Sequence, residues 1–376
     1  MVRFSLTSLW LAGALLIGAN AAGDDGYPDF RKVKWQIDPR CVLARGDSYD
    51  RRVVGDPCIV WDDSVQRWRM FYFASGTSGA STAMALSESA EEIGPGDWQK
   101  IGLIRFTNPE ALLNSKNWHK WWVVMEARRP NRAARIDGRY RALFVTTETG
   151  GVKHIQVASS DVLEGPWTVR PQPILSPDPD RMDGLHCDTP TAFWLEEQQK
   201  VLIYYKAYPR LAQKEQPGSP FGSCTVAAWW HPAAELATKG RPVMRPGRSS
   251  RDWNRGWTSG AQLLYHKETN RWYSLTSGSP TPPEADSHRE PAPSLAGWAA
   301  VRGFEGEWAV DNETGPLRYP KDLSPEEIEA GLGVNFWRHH LLVTPGGQVR
   351  IFFNSGAYGK EQMYSLAPVD RGKEPQ

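Results

Sequence analysis

The chain has 376 residues, enough for one large β-domain or two ordinary domains. Lys and Arg total 44 against 43 Asp and Glu, and the net charge of +1 gives no electrostatic reason to expect a nucleic-acid partner. Its 18 Trp and 12 Tyr must partly fill a core, and so many amphipathic rings also suit a site for half-apolar ligands such as sugars.

The first element is a signal-peptide pattern. Arg3 is followed by an apolar run from Leu9 to Ile17 and by the small-x-small site Ala19-Asn20-Ala21. Residues 1–21 are therefore read as removed on export, to the periplasm or the extracellular space. The run is short for a bilayer span, and no later segment can cross one, so no membrane span is expected in the mature chain. Residues 22–52 lead into the folded region. Export permits disulfides. The four cysteines, Cys41, Cys58, Cys187 and Cys224, allow three pairings, with Cys41–Cys58 and Cys187–Cys224 the local choices. Their spacing matches no zinc motif, and no metal ligand is read from them.

From residue 53 onward one unit is repeated five times. The first covers 53–90 and opens with "GDPCIVWDDSVQRWRMFYFASG" (55–76), two strands joined at Asp62-Asp63. The second runs over 121–169, the third over 186–236 from "HCDTPTAFW", the fourth over 256–310 from "GWTSGAQLLYH", and the fifth over 333–368 from "GVNFWRHHLLV". Each begins with a polar residue leading into an apolar strand, turns at Asp, Asn, Glu or Gly, and returns through an aromatic-rich strand. The leading residues Asp56, Glu126, Asp188, Ser259 and Arg338 stand 70, 62, 71 and 79 residues apart. Short regular strands of this kind predict an all-β fold. Only "SPEEIEAGLG" (324–333) reads as a helix, with Ser324 and Glu327 forming a capping box. Five sheet units suit a five-bladed β-propeller over 53–368, its last blade completed by a strand from residues 30–45, with 369–376 as a tail. Two β-sandwiches are the alternative. In a propeller the first strand of each blade lines the central channel, so the leading residues converge on one pocket. Two Pro-rich or polar loops, 208–223 and 277–294, interrupt units three and four. Nothing in the sequence sets an oligomeric state.

The five-unit layout, "GDP" before the first strand, "CDTP" in the third unit and "SSDVLEGPW" together resemble the five-bladed glycosidases. These are glycoside hydrolase family 43 and the related families 32, 62, 117 and 130. The resemblance covers residues 53–368 and implies hydrolysis of a poly- or oligosaccharide by carboxylate acid/base chemistry. It implies that Asp56 is the general base and that Asp188 tunes and orients the acid. The acid of that family is a glutamate in blade four, where this chain has Ser259 and no carboxylate. An ion at the centre, calcium or another, is the one cofactor the resemblance leaves open, through His339 or His340.

The residues themselves supply three carboxyls, Asp56, Glu126 and Asp188. Hydrolysis needs one proton donor and one base or nucleophile on opposite faces of the sugar. The acid is open between Glu126 and a blade-five histidine. Arg128 and Arg129 follow Glu126 closely, and an arginine lowers a carboxyl pKa, which suits ligand binding or an ion pair better than proton donation. In a strand His339 and His340 face opposite sides, so one can face the channel while the other packs between blades. Arg338 can clamp the carboxylate of an acidic sugar. Trp257 and Trp337 can stack on a ring or pack between blades. Two further functions stand beside hydrolysis: a carbohydrate-binding propeller without its acid, and a phosphorylase using Arg128, Arg129 and Arg338 for phosphate.

Overall fold

The computed structural model describes residues 26–77, 79–210, 222–281 and 293–369. The expected signal peptide lies outside them, as do residues 370–376 and most of the two expected loops. Five sheets, antiparallel except for the short Met125–Glu126 strand that pairs parallel with the inner strand of the third, follow one another along the chain. From the inside outward, blade one is Val53–Asp62, Arg67–Gly76, Gly79–Ser87 and Trp98–Leu103. Blade two is Trp118–Val123, Arg139–Thr147, Lys153–Ser160 and the short Thr168–Val169. Blade three is His186–Leu195, Lys200–Tyr208, Cys224–Trp230 and Thr238–Met244. Blade four is Trp257–His266, Arg271–Ser279, Leu295–Val301 and Ala309–Val310. Blade five is Trp337–Val343, Val349–Ser355, Gln362–Pro368 and, from the other end of the chain, Trp35–Leu43.

The first strand of each sheet touches its counterparts in the neighbouring sheets, closing a ring of five. This is a five-bladed β-propeller. Burial follows the geometry. The inner strand of blade three, HCDTPTAFWL, has packed sheet on both faces and is buried almost without interruption. The outermost strand of the same blade, TKGRPVM, is largely exposed or half-buried. Tryptophan does much of the packing. Trp121 stacks on Phe144 at 5.0 Å and meets Trp167 edge-on at 5.0 Å, while Trp253, Trp257 and Trp298 are also among the largest fully buried side chains.

The helix Pro325–Glu329 carries the expected capping box, with Ser324 accepting from the Glu327 N–H and Glu327 returning to the Ser324 N–H. The expected disulfides are absent, and all four cysteines are free. Cys187 and Cys224 both oppose Ala207, from opposite sides. Two strand spacings, roughly 9.5 Å, separate them, beyond disulfide reach. Cys58 lies in an inner strand and Cys41 in an outermost one.

A buried polar plug lies deeper in the channel. Asn131 donates to Ile59 O, Leu341 O and His340 Nε2 at 3.3, 3.1 and 2.8 Å. Gln262 exchanges two bonds with the Leu341 backbone, and Tyr27 bonds Asn131. The network ties blades one, four and five to the segment between the first two strands of blade two, and it gives the space above it a floor.

Candidate functional site

Each inner strand is interrupted near its leading end by a β-bulge. The pairing register shifts between Gly55 and Cys58, His119 and Trp122, Asp188 and Thr191, Ser259 and Ala261, and Trp337 and His340. At each bulge one residue is left-handed: Asp56 (φ 50°), Lys120 (60°), Thr189 (55°), Gly260 (52°) and Arg338 (50°). Four of the five are not glycine, so backbone strain is accepted repeatedly at one level of the channel. A bulge re-aims its side chain out of the regular alternation. The five positions thus present one carboxylate, two cations, one threonine and one bare backbone. Asp56, Lys120, Gly260, Arg338 and His339 line the resulting pocket, with Gln262 at its floor.

Asp188, one residue before its blade's bulge, is fully buried. Lys120 Nζ donates to both of its oxygens at 2.8 and 2.9 Å, and Lys153 Nζ donates to one at 2.6 Å. Burial alone would raise its pKa. Lys120, Lys153 and Arg338 outweigh burial and hold the carboxyl well below the usual range. Lys120 is shifted down from 10.5, by burial first and then by Lys153 and Arg338, with Asp188 opposing. Its third contact, Thr189 Oγ1 at 3.4 Å, is long. Arg338 Nε stands 3.7 Å from Asp56 Oδ1, an ion pair too open for a hydrogen bond. Arg338 Nη2 is buried with no hydrogen-bond partner among the described residues.

The structure thus brings Asp56, Asp188, Arg338 and His339 together and sets other expected residues apart. Glu126 is a correction. The sequence pattern makes it the leading residue of blade two, but that strand starts at Trp118 and its bulge residue is Lys120. Glu126 instead pairs with Trp194, six residues beyond Asp188 along blade three's inner strand. At about 3.3 Å per residue that is roughly 20 Å away, at the far end of the blade. It is half-buried and meets Arg129 at 3.1 Å. Arg128 shares that end, over the Tyr265 ring and 3.5 Å from Glu197.

The two histidines divide as strand alternation requires. His340 is fully buried, with Nε2 accepting from Asn131 and the Ile59 N–H, so it belongs to the plug. His339 lines the pocket, stacked on Phe353 at 5.6 Å. Burial lowers both to about 3, so both rings are neutral at ordinary pH. Trp257 does not offer a sugar platform. It is 2% exposed, stacked on Trp337 at 5.9 Å and capped by Lys206 Nζ 3.8 Å from its ring centre. Trp337 is half-buried beside it.

Sequence reasoning missed Lys120, Lys153 and Lys206. The signal for Lys120 was "WHKWW", an aromatic strand preceding the carboxylate that drew attention. Lys206 lies directly across the pair from Asp188. A central calcium does not suit these donors. The pocket carboxylates face lysine and arginine, and no group of three His, Cys, Asp or Glu fit for a metal occurs among the described residues.

The chain matches no protein-family model and no curated protein. It is, however, similar in structure to many solved propellers. A thermostable family-43 glycoside hydrolase superposes with a TM-score of 0.58 at 16% identity, over 90% of this chain and 98% of that one. The catalytic domain of a family-62 α-L-arabinofuranosidase from Coprinopsis cinerea gives 0.59 at 12%, over 90% and 97%. A protein of family 130, described as mannoside phosphorylases that include glycoside hydrolases targeting β-1,2-mannosidic linkages, gives 0.59 at 11%, over 90% and 95%. The fold is thus that of the five-bladed propeller glycosidases. No helix among the described residues is long and apolar enough to cross a membrane.

Proposed function

We propose that the protein is an exported glycoside hydrolase that cleaves a poly- or oligosaccharide in the central pocket, with Asp56 as general base. The observation that carries this reading is the placement of Asp56. It lines the pocket on the first bulge, its backbone N–H donating to Asn354 Oδ1 at 3.2 Å. The propeller neighbours named as glycoside hydrolases support the class of ligand.

The proton donor in this reading is Lys120. Blade four offers Gly260 where a bulge side chain would stand, Glu126 is at the far end, and His339 is neutral. Lys120 lines the pocket, its pKa is lowered, and the long bond to Thr189 is one a glycosidic oxygen can replace. Asp56 takes a proton from water as the water oxygen bonds the anomeric carbon. The bond from that carbon to the leaving oxygen breaks, and Lys120 gives that oxygen its proton. Asp188 then tunes the acid, opposing the downward shift of Lys120.

The test is a polysaccharide panel with reducing-end detection. Wild type should release ends, and Asp56→Asn should keep ligand binding while turnover falls by about 10²-fold or more. Near-normal turnover in Asp56→Asn removes the base. Binding without release by wild type establishes the second reading, a carbohydrate-binding propeller, which the bare Gly260 favours. N-terminal sequencing of exported material should begin near Ala22.

A further inference from the structure

Among the described residues the pocket level gathers Lys120, Lys153 and Arg338 around two carboxylates, Asp56 and Asp188. Asp188 is already saturated by its two lysines. Arg338 is the cation with capacity left. Its contact with Asp56 runs through Nε and is long at 3.7 Å, while Nη2 is buried and makes no hydrogen bond among the described residues. Leaving guanidinium N–H groups desolvated and unmade is costly. The chain also holds this arginine in the left-handed region at φ 50°. Beside it is the one bulge without a side chain. A Cβ on Gly260 would stand 4.0 Å from Arg338 Nη1, with Thr189 Cγ2 the nearer neighbour at 3.2 Å. Nη1 is therefore the guanidinium nitrogen next to the bare Gly260 position, which Thr189 Cγ2 also approaches, while Asp56 stands on the Nε side.

We propose that the pocket recognises an acidic sugar, a uronate residue whose carboxylate binds the Nη edge of Arg338 beside Gly260. The proposal rests on the carbohydrate reading above and deepens it. A planar carboxylate matches the guanidinium fork with two parallel bonds, as a point anion does not. The arrangement also answers the obvious objection, repulsion by Asp56. The ligand carboxylate and Asp56 sit on different edges of one guanidinium, and Lys120 adds a second positive charge on the pocket wall. A neutral sugar would leave Nη2 as it is.

The experiment is calorimetric titration of the intact mature protein with oligogalacturonides, glucuronoxylan oligosaccharides and alginate oligosaccharides. Each is paired with its carboxyl-reduced neutral form, and inorganic phosphate is titrated separately. At least one acidic oligosaccharide should bind, and reducing its carboxyl should weaken binding about tenfold or more. Arg338→Asn, chosen because asparagine tolerates the left-handed region, should weaken the acidic ligand by a similar factor and remove the difference between the acidic and the reduced form. The wild-type comparison of acid and reduced forms needs no variant, so it decides even if Arg338→Asn unfolds. Equal binding of both forms overturns the acidic-sugar proposal and leaves the carbohydrate reading standing. Binding of phosphate but of no oligosaccharide overturns it in favour of a phosphate site. Binding of nothing in this panel, with a neutral polysaccharide bound instead, also overturns it. If no carbohydrate binds at all, the underlying reading fails with it.

Discussion

Asp188 shows how far a residue's neighbours decide its role. From the residues alone it is one of three carboxyls at strand starts, and only the resemblance sets it apart as the tuner of the acid. In the fold it is buried and shared by two lysines, so it cannot be the exchangeable base that Asp56 can be. Its stability effect has a definite sign. Its folded pKa lies below the ordinary value of 3.8, so its contribution is present above about pH 4 and is lost as pH falls through the folded pKa. Asp188→Asn leaves the half-buried Lys120 and Lys153 against a neutral amide and should cost about 3 kcal/mol. Chemical unfolding across pH 2–7 should show the wild type losing stability below pH 4 and the variant following a flatter curve there. A variant as stable as wild type at pH 7 would show that the lysines find other partners. The same substitution reads out the acid. Asp188 holds the Lys120 pKa up against burial, so the alkaline limb of the pH–rate profile should begin below 10.5 in wild type and move further toward neutrality in Asp188→Asn. An unmoved limb would remove Lys120 as donor. None of this was legible beforehand. Lys120 and Lys153 are 33 residues apart and are read together only once blades two and three are docked.

At the scale of the strand, the repeat was legible and its register was not. Apolar alternation and turn residues locate the strands, but one left-handed residue per inner strand breaks the period of two. A slip of a single residue sends a side chain to the opposite face. In blade two the error was larger, because "VVMEARR" offered an acid and "WHKWW" did not look like the same motif. Asp56 was found because Gly-Asp-Pro marks its turn, and Arg338 because it opens a histidine pair. Gly260 gives the element-scale test. Four of the five bulges accept a non-glycine residue, so Gly260→Ala meets only the modest cost of a left-handed alanine, about 1–2 kcal/mol, and a tight 3.2 Å approach to Thr189. The variant should fold, melt a few degrees lower and bind ligand more weakly, because its methyl enters the room beside Arg338. Gly260→Leu should abolish binding while the far-ultraviolet circular dichroism stays as in wild type. Unchanged binding in Gly260→Leu would place the ligand elsewhere in the channel.

Over the whole molecule, the ring is closed by pairing the strand expected within residues 30–45 with the last strand of blade five. Trp35–Leu43 zips onto Gln362–Pro368 with Trp35 opposite Pro368, Ile37 opposite Leu366 and, past an irregularity, Leu43 opposite Met363. Trp35, Ile37, Val42 and Leu43 are all buried, so this outermost strand carries more core side chains than Thr238–Met244, which buries Val243 and Met244, or Trp98–Leu103, which buries Trp98. The reason is positional: this strand is preceded by Tyr27 and Phe30 and followed by blade one, and its apolar residues join two separate core clusters. Removing one methyl-rich side chain, in Ile37→Ala, should cost about 2–4 kcal/mol. Removing residues 26–43 altogether opens the Gln362–Pro368 edge, uncovers the side chains beneath it and takes Tyr27 from the plug that holds Asn131. The truncated chain should therefore aggregate or melt far below the full-length protein, and a synthetic peptide of residues 26–43 added in trans should recover part of the loss. Because the plug floors the pocket, ligand binding should be lost and regained together with stability. A truncated chain that stays monomeric and melts with the wild type would mean that four blades and a three-stranded fifth already hold the ring, and that the N-terminal strand is an addition to the fold rather than its closure.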